Sequence, residues 1–173
     1  MQDTAMTILA IVVAGLLLFI FPLMAVSERN NDIAQTVAKK AVTEFVGEVA
    51  TTGAITADQY SKLTNQLSST GNNYDVEMEI KKIDDNIGKK SQWVNNKVIG
   101  ENVQYSVYTD QISRSLETNG AYNLKKGDTI SVKVKNNNKT MAQTFRSLVG
   151  AGNKDTYEIA AQESALVTAT GSK

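Results

Sequence analysis

Residues 4–27, TAMTILAIVVAGLLLFIFPLMAVS, carry no charged side chain and lie between Asp3 and Glu28. As a helix this run is ~36 Å long at about 1.5 Å per residue, enough to cross the hydrocarbon core of a bilayer. It is apolar on every side, so it requires either lipid or a bundle of similar helices around it. A chain built on such a segment is expected to be membrane-inserted or self-assembling.

Three readings compete for the segment. A cleaved secretory signal has a small-residue site in Ala25-Val26-Ser27, but Met1-Gln2-Asp3 lacks the basic start such signals carry, and a retained segment is expected. A single-pass anchor needs only length and hydrophobicity. The assembly helix of a filament subunit needs more, and its case rests on residues within and after the run. Pro22 has no N–H and its ring crowds the Leu18 carbonyl, so a bent or loosened turn is expected, with Gly15 a second weak point. Transmembrane helices tolerate both residues.

The helical pattern continues past Glu28. Ile33, Val37, Ala41, Phe45 and Val49 recur on one face with Ala34, Ala38 and Val42 beside them, while Lys39, Lys40, Glu44 and Glu48 lie opposite. Lys40 and Glu44 are four apart and can pair. The spacing predicts one helix over about 4–50, ~70 Å long, ended at Thr51-Thr52-Gly53 with the glycine in the left-handed cap position. Three segments follow: an apolar helix over 1–27, its amphipathic continuation over 28–52, and a globular head over 53–173.

An apolar half with an internal glycine and proline, then an amphipathic half carrying a β-rich head, resembles the type IV pilin superfamily. Gly15, Pro22 and the apolar stripe over 33–49 carry the resemblance. In that superfamily the first half forms the filament core, and the glycine-to-proline segment often loses helical structure on assembly. The resemblance implies core packing by Ala5, Ile8, Ile11, Ala14, Gly15, Leu18, Phe19 and Pro22, with the small residues Ala5, Ala10, Ala14 and Gly15 on or near one face. The superfamily usually has a glutamate at the fifth mature position, where this chain has Ala5. Asp3 is then the candidate partner for the N-terminal ammonium, and either Met1 is the mature end or processing does not apply.

The 173 residues leave about 120 beyond the long helix, an ordinary size for one domain. Thr56 with Gln59 forms a capping box for a helix carrying Tyr60, Leu63 and Leu67 on one face, closed by Gly71-Asn72-Asn73. Residues 74–81 alternate strictly, with Tyr74, Val76, Met78 and Ile80 inward and Asp75, Glu77, Glu79 and Lys81 toward water. That acidic row reads as a solvated strand face. Residues 82–100 read as a charged loop; Asp84-Asp85-Asn86 lacks the spacing of a calcium loop. Trp93 and Val94 are expected to anchor that loop to the core or to a neighbouring subunit.

Val103, Tyr105 and Val107 mark a second strand within 101–109. A helical turn over 110–118 places Ile112 and Leu116 together and ends at Asn119-Gly120. A Lys-Gly-Asp turn at 126–128 then feeds a strand with Ile130, Val132 and Val134 inward. This dozen-residue pattern looks like the carboxy-half of TadE-like pseudopilins. Asn138-Lys139-Thr140 is a glycosylation sequon, making Asn138 a candidate acceptor. A short helix over 139–149 is expected to turn Met141, Phe145, Leu148 and Val149 inward. The chain then turns at Gly150-Ala151-Gly152-Asn153. A terminal strand over 156–170 carries Tyr157, Ile159, Ala161, Ala165, Val167 and Ala169 on one face, with a bulge near Glu163-Ser164. The sum is an α+β fold: a long N-terminal helix packed on a small antiparallel sheet.

The chain has no histidine and no cysteine. That removes the commonest general base, the hydrolytic triad, thiolate chemistry, disulfides and the usual zinc sites. No nucleotide-binding or nucleophile motif occurs, so neither catalysis nor a cofactor or metal is expected. Eighteen basic and eighteen acidic residues give no basic excess, so nucleic acid is not an expected partner. Pro22 is the single proline, which excludes a sortase signal. The expected role is a structural, adhesive-type subunit of a cell-surface filament. Its partners would be other copies of itself, the membrane before assembly and the pilus assembly machinery; the precursor would sit in the cytoplasmic membrane. A single-pass anchored extracytoplasmic binding or sensor domain, or a minor pseudopilin of a secretion system, are the alternatives.

Overall fold

The structure is a computed structural model that describes residues 2–83, 104–148 and 159–171. Asp84-Asp85-Asn86, Trp93, Val94, Val103, Val149, the turn at 150–153 and Tyr157 lie outside the described residues. Helix α1 (Gln2–Thr52) runs without a break through Gly15 and Pro22. After it come β1 (Ala54–Thr56), α2 (Ala57–Ser68), β2 (Tyr74–Ile83), β3 (Gln104–Tyr108), α3 (Thr109–Asn119), β4 (Ala121–Asn123), β5 (Thr129–Asn136), α4 (Met141–Leu148) and β6 (Ala160–Leu166). The α+β architecture expected from the periodicity is the one observed.

Strands β2, β3, β5 and β6 form a four-stranded antiparallel sheet in the order β3-β2-β5-β6. Alternation along each strand sets two faces. Met78, Ile80, Val107, Ile130, Val132, Val134 and Ala161 are buried on the inner face. The second half of α1 covers that face with Ala34, Ala38, Ala41, Val42, Phe45, Val46 and Val49, all buried. Alanine at 34, 38 and 41 lets the helix backbone lie close to β6 and β5. Leu63 and Leu67 of α2 and Ile112 and Leu116 of α3 complete the same core.

The local signals fold as their chemistry dictates. Gln59 N–H donates to Thr56 Oγ1 at 3.2 Å and Thr56 N–H to Gln59 Oε1 at 3.0 Å, closing the capping box of α2. Gly120 caps α3 in the left-handed region, its N–H on the Leu116 carbonyl. Lys40 and Glu44 pair at 3.7 Å.

Several expectations are corrected. Ile33 is exposed, because the covered side of α1 is centred on Ala34, Ala38 and Ala41, about 100° round the helix. Tyr105 is half exposed; it pairs with Lys82, beyond the buried pair of Ile80 and Val107 on an edge strand. Met141 and Leu148 are exposed, since α4 buries Ala142 instead. The terminal strand has no bulge at Glu163-Ser164: β6 pairs with β5 in unbroken register from Thr129↔Leu166 to Lys135↔Ala160. The short strands β1 and β4 pair antiparallel, and at three residues each they are too short to show a period in the sequence.

The far end of α1 is locked by the C-terminal segment. Gly53 has φ 70°, and a Cβ there would lie 2.5 Å from the Ala169 carbonyl oxygen and 2.6 Å from the Gly171 nitrogen. Thr168 N–H donates to the Ala50 carbonyl at 2.8 Å, and Leu124 N–H to the Gly53 carbonyl at 2.8 Å. Gly53→Ala combines left-handed strain with that backbone clash, and should destabilise the head by roughly 2 kcal/mol or more in chemical denaturation. Gly71→Ala has the same sign of φ but open space around it, so it should cost less; equal losses would remove the packing argument.

Candidate functional site

The first half of α1 stands clear of the head. Its most apolar window has a mean hydropathy of 2.9 and none of it is buried. Leu18 and Phe19 are 72% and 71% exposed. The helix is therefore long and apolar enough to cross a membrane, and it presents its side chains on all sides. Ala5, Ile8, Ile11, Ala14, Gly15, Leu18, Phe19 and Pro22 are all exposed. At about 100° per residue they occupy one half of the helix circumference.

The other side of α1 belongs to the head. Ala38, Ala34, Asn31, Ser27, Met24 and Ile20 form a continuous stripe that is buried or partly buried. That stripe lies nearly opposite the eight residues singled out above. Exposed Val26 and Ile33 continue their side toward the head. The small residues do not share one face: Ala10 lies about 140° round from Ala5. Gly15 is open, with no heavy atom within 4 Å of where its Cβ would be. Asp3 lies in the first turn and its carbonyl accepts from Thr7 Oγ1 at 2.8 Å.

Three polar ties fasten the head to α1 just beyond the apolar run. Arg146 of α4 meets Glu28 with Nε at 3.2 Å and Nη2 at 3.1 Å from Oε1. Asn31 Nδ2 donates to Thr140 Oγ1 at 3.1 Å. Gln35 binds both backbone groups of Ala160: its Nε2 donates to the carbonyl at 2.5 Å, and its Oε1 accepts from the N–H at 2.9 Å. The antiparallel ladder explains that last tie. Asn136 N–H donates to the Ile159 carbonyl, so Ala160, the next residue, turns its own pair away from β5. The Gln35 amide completes it as a further strand would. Sequence reading missed all three ties, because their partners are more than 100 positions apart.

Thr140 also caps α4. Gln143 N–H donates to its Oγ1 at 3.3 Å and Thr140 N–H to Gln143 Oε1 at 3.0 Å. The Thr-x-x-Gln signal at 140–143 is the same as at 56–59 and was open to reading. Asn138, the candidate glycan acceptor, has its amide engaged: Oδ1 accepts from Asn73 N–H at 2.9 Å, and Nδ2 donates to Asn72 Oδ1 and the Lys139 carbonyl. A sugar on Nδ2 replaces one of its two hydrogens and so has to displace one of those donations.

The outer face of the sheet holds a shallow groove of about 290 Å³ lined by Glu77, Glu79, Tyr108, Ser131, Lys133 and Gln162. Its carboxylates are matched. Lys135 Nζ lies 2.8 Å from Glu77 Oε1, and Ser106 Oγ donates to Glu79 Oε1 at 2.7 Å. The hydrogen bond from Lys135, then its charge, holds the Glu77 carboxyl below the usual range, with Lys133 adding to the effect. Among the described residues no cluster of acidic side chains is arranged to hold a metal. No protein-family profile, curated protein or solved structure matches the chain.

Gln35→Ala should expose the outward pair of Ala160 and cost about 1–3 kcal/mol of head stability. Hydrogen exchange checks the cause, with the Ala160 amide losing more protection than that of Val132. Uniform loss across the sheet would show that Gln35 acts through packing instead.

Proposed function

We propose that this chain is a structural subunit of a type IV pilus-like surface filament, held in the membrane by the first half of α1 before assembly and packed into a filament core through it afterwards. One observation carries the reading. A single unbroken helix is apolar and exposed over its first half, and is the structural core of the head over its second. A segment that merely tethers a domain has no need to be rigidly continuous with that domain's core. Here the exposed side of 5–22 is oriented with respect to the head, so helices packed side by side would place their heads in register.

Transfer of the helix from lipid to a bundle exchanges one apolar surrounding for another. Little net hydrophobic gain results, and close side-chain packing has to hold the core. The partners in this reading are other copies of the chain and the machinery that extracts it from the membrane. The location is the cell surface, reached from a precursor in the cytoplasmic membrane. The polar groove between Glu77 and Tyr108 favours the second reading, an anchored extracytoplasmic binding domain. A low-copy pseudopilin is the same assembly with fewer subunits.

Negative-stain electron microscopy of material sheared from cells, with mass spectrometry of the N-terminus, tests the proposal. Thin filaments containing the chain are expected. Gly15→Leu fills open space outside the fold, and Ile11→Asp places a charge in the apolar run; both should abolish filaments and leave the thermal unfolding of the head unchanged. Normal filaments from both variants would sink the filament reading, and single membrane-held copies would favour the anchored domain.

A further inference from the structure

We propose that α4 is a membrane-surface foot, whose membrane-facing end at Leu148 rests in the lipid headgroup layer beside the α1 span and sets the height and tilt of the head. This rests on the membrane-inserted state of the reading above.

The position of α4 along α1 supplies the first argument. About 20 residues of helix fill a ~30 Å hydrocarbon core, so a span starting at Thr4 leaves that core near Met24. Glu28 is one turn further, ~6 Å above the boundary. Helix α4 starts where Thr140 binds Asn31 and reaches Glu28 through Arg146. It therefore runs toward the membrane, and Leu148 follows Arg146 in the direction of the lipid. The covered stripe on α1 reaches Ser27, and Met24 and Ile20 in line with it are partly buried, so the lower edge of the head lies at the level where the span leaves the hydrocarbon.

The chemistry of α4 supplies the second. Met141, Phe145 and Leu148 fall at i, i+4 and i+7, one face of the helix. Met141 is 67% and Leu148 69% exposed, Phe145 between them is partly buried, and Ala142 is the fully buried residue. A short helix that buries its alanine and leaves the apolar side chains at both of its ends exposed is poorly suited to a domain surrounded by water. At the membrane-facing end of α4 an exposed Leu148 is favourable, because apolar side chains in the headgroup layer are buried about 5–10 Å deep. Arg29, which follows Glu28 on α1, and Lys139, which precedes α4, are both exposed and cationic, which suits anionic headgroups. The Arg146–Glu28 ion pair fixes α4 to the span, so that end cannot turn inward without breaking it.

The chain has no cysteine, so single-cysteine variants report on one position each. Full-length protein with Leu148→Cys, Met141→Cys, Ile11→Cys or Lys81→Cys is labelled with a polarity-sensitive fluorophore. Each is reconstituted in vesicles of phosphatidylcholine with a minority of phosphatidylglycerol. Quenching is measured with lipid-borne nitroxides and with aqueous iodide. The proposal expects lipid quenching at Leu148 of at least about half that at Ile11, less at Met141 and none at Lys81 on the outer sheet face. Ile11 quenched by lipid with Leu148 open to iodide overturns the foot and leaves the span intact. Ile11 unquenched by lipid overturns the membrane-inserted state and the foot together. Leu148 shielded from both quenchers, and only at high protein-to-lipid ratio, shows that a second copy covers α4 and overturns the lipid assignment.

Discussion

The burial of one side of α1 against the inner face of the four-stranded sheet is the interaction on which the rest of the molecule depends. An antiparallel sheet with one apolar face has to cover it, and α1 provides the cover with Ala38, Val42, Phe45, Val46 and Val49. Full burial of each valine or phenylalanine contributes on the order of 1.5–3 kcal/mol, several times what a surface ion pair supplies. The alanines set the closeness of approach, and that closeness brings Gln35 within reach of the outward backbone of Ala160. Removing α1 from the sheet would leave Met78, Ile80, Val132 and Val134 without a partner layer.

The same helix is asked to satisfy two surroundings. From Asn31 onward it has an apolar side and a charged one, and Lys40, Glu44 and Glu48 make their pairs with one another and with Lys62. Before Glu28 it has no polar side at all. The change falls within about one turn, between Val26 and Asn31, and the structure concentrates its fastenings there: Glu28 with Arg146, then Asn31 with Thr140. Both ends of the head's grip on α1 are therefore specified, one by these side chains and the other by the C-terminal segment closing over Gly53. Any force on the apolar half reaches the sheet through a helix that is held at two places.

That construction suits a subunit that changes surroundings without refolding. In lipid and in a helix bundle alike, the helical form of the first half of α1 keeps its backbone hydrogen bonds internal, save at the Leu18 carbonyl facing Pro22. Gly15 and Pro22 are the positions at which the ladder is weakest, yet the isolated chain keeps the helix through both. Neighbouring helices in an assembly would decide whether that segment loosens, since Pro22 supplies no N–H to the Leu18 carbonyl.

The long helix, the capping box at Thr56, the cap at Gly53, the alternation of β2, β5 and β6, and hence the α+β class were legible in the chain, because each rests on contacts within a few residues or on a simple period. The reach of 4–27 and its lack of any polar side were equally plain, and they determined the candidate surface. What required the tertiary structure was orientation. Periodicity placed Ile33 in the core stripe and Met141 and Leu148 inward, but a helix whose apolar residues spread over half its circumference can be turned by about 100° without altering the pattern. The small residues Ala34, Ala38 and Ala41 of α1 and Ala142 of α4 decided the turn, since they permit the approach that Gln35, Asn31 and Arg146 lock with partners more than 100 positions away. Local spacing determined which elements form; packing and long-range hydrogen bonds decided which of their faces remain for lipid or for another subunit.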